Sequence, residues 1–216
     1  MSSEIAAQRN YWNGEANAFN KIYSHEKSSI ANFLDRVFRR DMYQRFEFTM
    51  EQCKPYSRLS YLDIGCGSGV YSLELARRGA RRVTGLDIAE NMVNFCRQSA
   101  SNKGFAETCS FLHTDLLAFD PKATFDVSIG IGLFDYIKEA APVLARMRDL
   151  TASHAVMSFP RFWTWRAPIR KARLSLRGCG VYFYTRRKIR RLLTEAGFSG
   201  YKIVRVGKLH CVVAYS

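Results

Sequence analysis

The sequence predicts an α/β fold, a mostly parallel sheet with helices on both faces, from three observations. Between residues 59 and 159, short apolar runs alternate with helical stretches. Residues 1–55 hold no strand-like run and read as a helical N-terminal arm. Tyr201–Val206 and Leu209–Ala214 flank Gly207-Lys208, the pattern of a C-terminal antiparallel hairpin. Strands that alternate with helices connect by crossovers, so neighbouring strands run parallel and the sheet is covered on both sides.

Each element follows from local pattern. In the arm, Ile30, Phe33, Leu34, Val37, Phe38, Met42 and Phe46 recur near helical spacing between Ser28 and Cys53, and Pro55 closes the segment. Leu59–Ile64 is a strand ending in glycines; Val70–Arg78 is a helix stopped by Gly79; Arg82–Asp87 is the second strand. Glu90–Lys103 is a helix ended by Gly104, and Thr108–His113 and Phe125–Ile131 are strands. Phe134–Leu150 reads as mostly helical despite Pro142, and His154–Phe159 as the fifth strand. Pro160–Tyr184 interrupts the alternation. Thr185–Ala196 resumes it as a helix with Thr185 at its N-cap and Gly197 beyond its end. We read one domain over residues 1–216: an arm or lid (1–55), a ligand-binding core (56–159), a basic insertion (160–184), and a terminal helix and hairpin (185–216).

Composition narrows the class. With 47% hydrophobic residues, 216 residues suffice for one well-filled core. No apolar run approaches the roughly 18 residues of a membrane span, and the N-terminus lacks the apolar stretch of a secretory signal. The cysteines, Cys53, Cys66, Cys96, Cys109, Cys179 and Cys211, show no CxxC spacing, and no His/Asp/Glu cluster has metal-ligand spacing. The expectation is a cytoplasmic protein with reduced thiols and no metal.

The segment Leu62-Asp63-Ile64-Gly65-Cys66-Gly67-Ser68-Gly69 joins a strand to a helix. Glycines there allow a tight turn and close approach to a ligand. Asp87 ends the next strand, 20 residues after Gly67, where a carboxylate accepts both hydroxyls of a ribose. Asp115 follows the third strand, placed for an adenine amino group. A nicotinamide dinucleotide asks for G-x-G-x-x-G; here the spacing is G-x-G-x-G, with Asp63 just before the first glycine. A carboxylate repels a pyrophosphate but attracts the ammonium of a methionyl group. The pattern therefore favours S-adenosylmethionine (SAM).

Taken together over residues 59–159, LDIGCGSG, LDIAENMV, HTDL and FDVSIGIGLFDYI resemble the successive motifs of class I SAM-dependent methyltransferases. The resemblance implies a seven-stranded sheet with its last strand antiparallel, SAM as cofactor and S-adenosylhomocysteine (SAH) as product. It implies cofactor contacts from Asp63, Gly65, Gly67, Asp87, Ile88, Met92, Asp115 and Leu116. Cys66, Ser68 and Gly69 of the loop and Gly130 of the fourth strand complete the candidate set. A second resemblance lies in Tyr11-Trp12-Asn13-Gly14-Glu15 and Phe19-Asn20-Lys21-Ile22-Tyr23, which are similar to the opening of magnesium-protoporphyrin O-methyltransferases. It implies a helical arm over the cofactor, closed by Tyr11 and Tyr23, with Tyr23 a catalytic candidate at the reactive end. Those enzymes carry a His after the fourth strand, where this chain has Asp135.

Methyl transfer from a sulfonium is an in-line displacement that requires alignment and exclusion of water. A hydroxyl acceptor also needs a base; a carboxylate, ionised at neutral pH, does not. The substrate end should border Gly132-Leu133-Phe134-Asp135-Tyr136. That segment lacks Asn/Asp-Pro-Pro-Tyr, the signature of amino-group methylation on adenine or glutamine, and the chain has no Pro-Cys pair for a cytosine nucleophile. Asp135 is a candidate base or orienting carboxylate, or a charge that favours a helix N-terminus. Phe134 and Tyr136 are candidates to touch the acceptor.

The formal net charge is +14, and it is unevenly placed. Residues 1–160 carry 19 Lys+Arg against 18 acids; residues 161–216 carry 14 against Glu195 alone. An excess this local points to an anionic partner. One reading is an acidic small molecule, gripped by Arg161, Arg166 or Arg170 and covered on an apolar part by Trp163 or Trp165, with Tyr184 also lining the acceptor side. Others are a membrane-surface helix, nucleic acid, ranked low because no recognisable nucleic-acid module accompanies the block, and a merely solvated basic face. The expected activity is SAM-dependent O-methylation of a small anionic or amphiphilic biosynthetic intermediate. The alternatives are N-methylation of a small molecule, or an RNA-binding methyltransferase that uses the basic third.

Overall fold

The computed structural model describes Arg9, residues 29–161 and residues 180–216, with the backbone alone for 29–40. Helix α1 (Ser29–Gln52) precedes β1 (Ser60–Ile64), α2 (Val70–Arg77), β2 (Arg82–Asp87), α3 (Glu90–Asn102) and β3 (Cys109–His113). A short 3-10 turn (Leu116–Ala118) leads to β4 (Phe125–Gly130), α4 (Ala140–Asp149), β5 (Thr151–Pro160), α5 (Arg186–Glu195), β6 (Gly200–Val206) and β7 (Leu209–Tyr215).

The seven strands form one sheet in the order β3-β2-β1-β4-β5-β7-β6. β1 to β5 are parallel, and β7 runs antiparallel between β5 and β6. β1 is buried along its whole length, as a central strand covered on both faces must be. One core packs α4 and α5 against the sheet through Leu62, Leu144, Met147, Phe159 and Leu193. The other packs α2, α3 and the end of α1 through Met50, Tyr61, Leu75, Val93 and Phe111. The Tyr61 hydroxyl donates to the Cys53 carbonyl at 2.6 Å and pins α1 to β1.

Helix ends follow the sequence. After α2, α3 and α5 the chain turns through a glycine, and the next residue bonds back five positions: Ala80 to Leu75, Phe105 to Ala100, Phe198 to Leu193. Each closes carbonyls that a helix end leaves open. The Thr185 hydroxyl caps α5 by accepting from the Lys188 N–H at 3.2 Å. One boundary differs from expectation. The helix predicted over Phe134–Leu150 begins only at Ala140. Pro142 explains this: its missing N–H is harmless only in a first turn, so the helix starts just before it and residues 134–139 remain a loop.

Cys53, Cys66, Cys96, Cys109 and Cys211 are free and buried. No described helix is long and apolar enough to cross a membrane.

Gly85 lets β2 and β3 approach the loop after β1. A Cβ built there lies 2.6 Å from the Phe111 ring and 3.1 Å from the Cys66 sulfur. Gly85→Ala is expected to lower the unfolding free energy by about 1–3 kcal/mol through overpacking. Urea denaturation measures it, and adding Phe111→Leu should recover part of the loss.

Candidate functional site

Beyond the C-terminal ends of β1, β2 and β4 lies a cavity of about 560 Å³, within the size range of small-molecule sites. Its floor is the loop after β1. The N–H groups of Gly65 and Cys66 both donate to the Leu86 carbonyl, at 2.8 and 3.0 Å. Gly65, Gly67 and Gly69 all have positive φ, which non-glycine residues rarely adopt. At Gly67 an added Cβ would meet nothing within 4 Å, so the backbone there faces open cavity. At Gly69 it would lie 2.9 Å from the Cys96 sulfur, so packing as well as φ requires glycine.

Three carboxylates stand around this loop. Asp87 accepts from the Gly67 N–H at 2.8 Å with one oxygen and from the Ala89 N–H at 2.9 Å with the other. Burial raises its pKa, and these backbone donors work against the rise. Lone pairs remain on both oxygens for further donors. Asp63 is buried in β1 and accepts from the Ser72 hydroxyl at 2.6 Å. Burial pushes its carboxyl up to about 7, opposed by Ser72 and assisted by the charge of Asp87. A buried acid in that state is completed by a cation. Asp115 accepts from the Leu117 N–H at 2.7 Å and caps the 3-10 turn.

The predicted residues Asp63, Gly65, Cys66, Gly67, Ser68, Asp87, Ile88, Met92, Asp115 and Leu116 all line this one cavity, and Asp135 and Tyr136 line its other end. Gly69 and Gly130 are not on its wall: Gly69 starts α2, and Gly130 lies behind, against Leu133, Met147 and Phe134. Phe134 stacks on Phe159 at 4.4 Å, and Tyr184 packs edge-on against the same ring at 5.0 Å, so both fill the core rather than the cavity. Arg161, the residue after β5, lies outside the lining, its guanidinium donating to the Gly207 carbonyl at 3.3 Å. Tyr11, Tyr23, Trp163, Trp165, Arg166 and Arg170 lie outside the described residues.

The structure adds residues that the sequence did not single out for the site. Arg45 and Met42, from α1, and Tyr71, from α2, reach the wall near Asp135. Burial of the Arg45 guanidinium is outweighed by Tyr71, which is hydrogen-bonded to it, and by the charge of Asp135, so the arginine is held more firmly cationic than usual. The cavity thus carries anionic groups at its loop end and a fixed cation beside a carboxylate at the other. Such a set can hold a nucleoside with a cationic amino-acid tail and align a second, anionic molecule against it.

A sheet of this order with β7 antiparallel, and a glycine loop with strand-end carboxylates around one cavity, is the class I methyltransferase fold. Residues 62–154 match the family model of the methyltransferase domain. The chain is similar to the O-antigen chain terminator bifunctional methyltransferase/kinase of Escherichia coli, 32% identical over 141 residues, which is 57% of this chain and 20% of that protein. It is 27% identical to the mitochondrial ubiquinone biosynthesis O-methyltransferase of Arabidopsis thaliana over 143 residues, 65% of this chain and 42% of the relative. The match thus spans a fifth to less than half of these curated relatives. Among solved structures, magnesium protoporphyrin IX methyltransferase from Synechocystis PCC 6803 with bound SAH superposes with a TM-score of 0.78 at 22% identity, covering 99% of each chain.

Asp63 gives this site a pH signature. The folded chain keeps its proton to about pH 7, whereas an unfolded chain loses it near 3.8. Between these values the folded state binds the extra proton, so its stability falls as pH rises. Asp63→Asn is expected to remove that slope. Without ligand the variant should melt with the wild type near pH 4 and above it near pH 8. A lower melting point near pH 8 would contradict the buried-acid assignment.

Proposed function

We propose that this chain is a SAM-dependent methyltransferase that methylates an oxygen, carboxylate or hydroxyl, on a small anionic biosynthetic intermediate. The observation that carries it is the single cavity joining Asp63, the glycine loop, Asp87 and Asp115 to Arg45, Asp135 and Tyr136. When bound, SAM supplies a methyl group on a sulfonium. Asp63 holds the cationic amino group of the methionyl end. Asp87, already tied to the loop by two N–H donors, turns its remaining lone pairs to the ribose hydroxyls. Asp115 faces the adenine amino group, and Ile88, Met92 and Leu116 give the apolar walls.

At the other end Arg45 attracts an acidic acceptor and Asp135 orients it. A carboxylate acceptor needs nothing more than alignment and exclusion of water. For a hydroxyl acceptor, Asp135 is the base. Tyr11 and Tyr23 close the site from the arm, with Tyr23 nearest the reacting atoms. Trp163, Trp165, Arg166 and Arg170 contribute to holding the acceptor. The similarity to a ubiquinone biosynthesis O-methyltransferase supports an oxygen acceptor, and the likeness to magnesium protoporphyrin IX methyltransferase supports a small-molecule one.

Titration calorimetry with SAM and with SAH tests the central claim, and no heat with either would sink it. Asp87→Ala should weaken both by about 1–3 kcal/mol through loss of buried hydrogen bonds to the ribose. Asp63→Asn should weaken SAM at least roughly tenfold and abolish the rise of affinity with pH through about 7. Incubation with methyl-labelled SAM and a panel of small organic acids and phenols then defines the acceptor. Label released as methanol by mild alkali marks a methyl ester; alkali-stable label marks an ether or amine.

A further inference from the structure

The β5-β7-β6 side of the sheet gathers three guanidiniums around a buried histidine. His210 pairs in register with Phe159 of β5 and with Arg205 of β6, and paired residues on antiparallel strands project to the same face. Arg161, two residues beyond Phe159, returns to that face. Arg186 opens α5, which packs there, and donates to the Ile203 carbonyl of β6 at 2.8 Å. His210 is only 8% exposed, and its Nδ1 has no hydrogen-bond partner among the described residues.

These charges are placed where elementary electrostatics disfavours them. Burial first, and then the charges of Arg161, Arg186 and Arg205 among the described residues, push the His210 imidazole down to about 4. Burial and the same two neighbours, Arg205 and Arg186, hold Arg161 below its ordinary value. Among the described residues, no carboxylate acts on either of them. Asp41, which packs at Gly207, is engaged by Lys208 at 3.4 Å. The first turn of α5 holds Arg186, Arg187 and Lys188 and no acid, although a helix N-terminus already carries partial positive charge. Arg186 and Arg161 each donate to one backbone carbonyl, and those neutral acceptors leave the mutual repulsion of the cations uncompensated; a bound anion would offset it.

We propose that Arg161, Arg186, Arg205 and His210 form a binding site for an oxyanion, the phosphate or carboxylate group of a small molecule, outside the cofactor cavity. The arginine forks match such a group in geometry as well as charge. His210 Nδ1 is a further donor once the anion draws a proton onto the ring. Oxyanion binding here does not depend on methyl transfer.

The test is a pH titration of the His210 ring by nitrogen-edited NMR at fixed ionic strength, in potassium chloride and in potassium phosphate. Phosphate is expected to raise the His210 pKa by about one unit with saturation in the low millimolar range, and chloride to leave it unmoved. Arg186→Gln and Arg205→Gln should each weaken the phosphate response about tenfold while unfolding stays cooperative. Vesicles of phosphatidylcholine with and without phosphatidic acid separate the sources. Arg205-dependent binding to phosphatidic acid places the phosphate on a lipid; a phosphate response without vesicle binding places it on a soluble molecule. Equal responses to chloride and phosphate, or a phosphate response that survives in both glutamine variants, overturns the proposal. Loss of SAM binding by the wild type would bear only on the methyl-transfer proposal.

Discussion

The site exists because the order of the sheet reverses between β1 and β4. From β1 the chain builds outward through β2 to β3, and from β4 it builds the other way to β5. Right-handed crossovers then send α2 and α3 to one face and α4 to the other. Neither layer can cover the gap beyond the carboxyl ends of β1 and β4, and that gap is where ligands bind in open α/β sheets. Everything that lines the cavity is positioned by this reversal: the loop after β1, the tip of β2, and the loop after β4 that Pro142 keeps from becoming helix.

The loop is fixed before any ligand arrives. Leu86 holds its first two N–H groups, Asp87 holds Gly67, and the Cys96 thiol donates to the Gly67 carbonyl at 3.0 Å. Anchors therefore come from β2 and from α3, two elements that pack on each other. A loop ordered in advance does not lose its conformational freedom at the moment of binding, which favours affinity.

What the sequence showed and what it concealed divide along physical lines. The loop and its acids were legible because backbone geometry demands glycine at Gly65, Gly67 and Gly69, and because strand ends place Asp63, Asp87 and Asp115 at regular stations. Arg45 was not, since its partners Tyr71 and Asp135 come from other elements and helical periodicity shows only a polar position. Met42 fell on the apolar stripe of α1 yet is 37% exposed and lines the cavity. Phe134 and Tyr184 read as acceptor contacts because aromatic residues serve sites and cores alike; the stack on Phe159 decides for the core. The charge count revealed the basic excess after residue 160, but only the register of β7 brings Arg161, Arg205 and His210 together.

The partly titrated state of Asp63 has a thermodynamic consequence. Near neutrality an acid with its pKa at about 7 exists in both protonated and ionised forms. Any cation that docks against it must displace that proton into solution. Ligand uptake at this site is therefore an exchange rather than a simple addition: a fraction of a hydrogen ion leaves for each cation that enters. The heat observed will include the ionisation enthalpy of whichever buffer receives the proton, and it will differ between phosphate and Tris at the same pH even though the protein chemistry is unchanged.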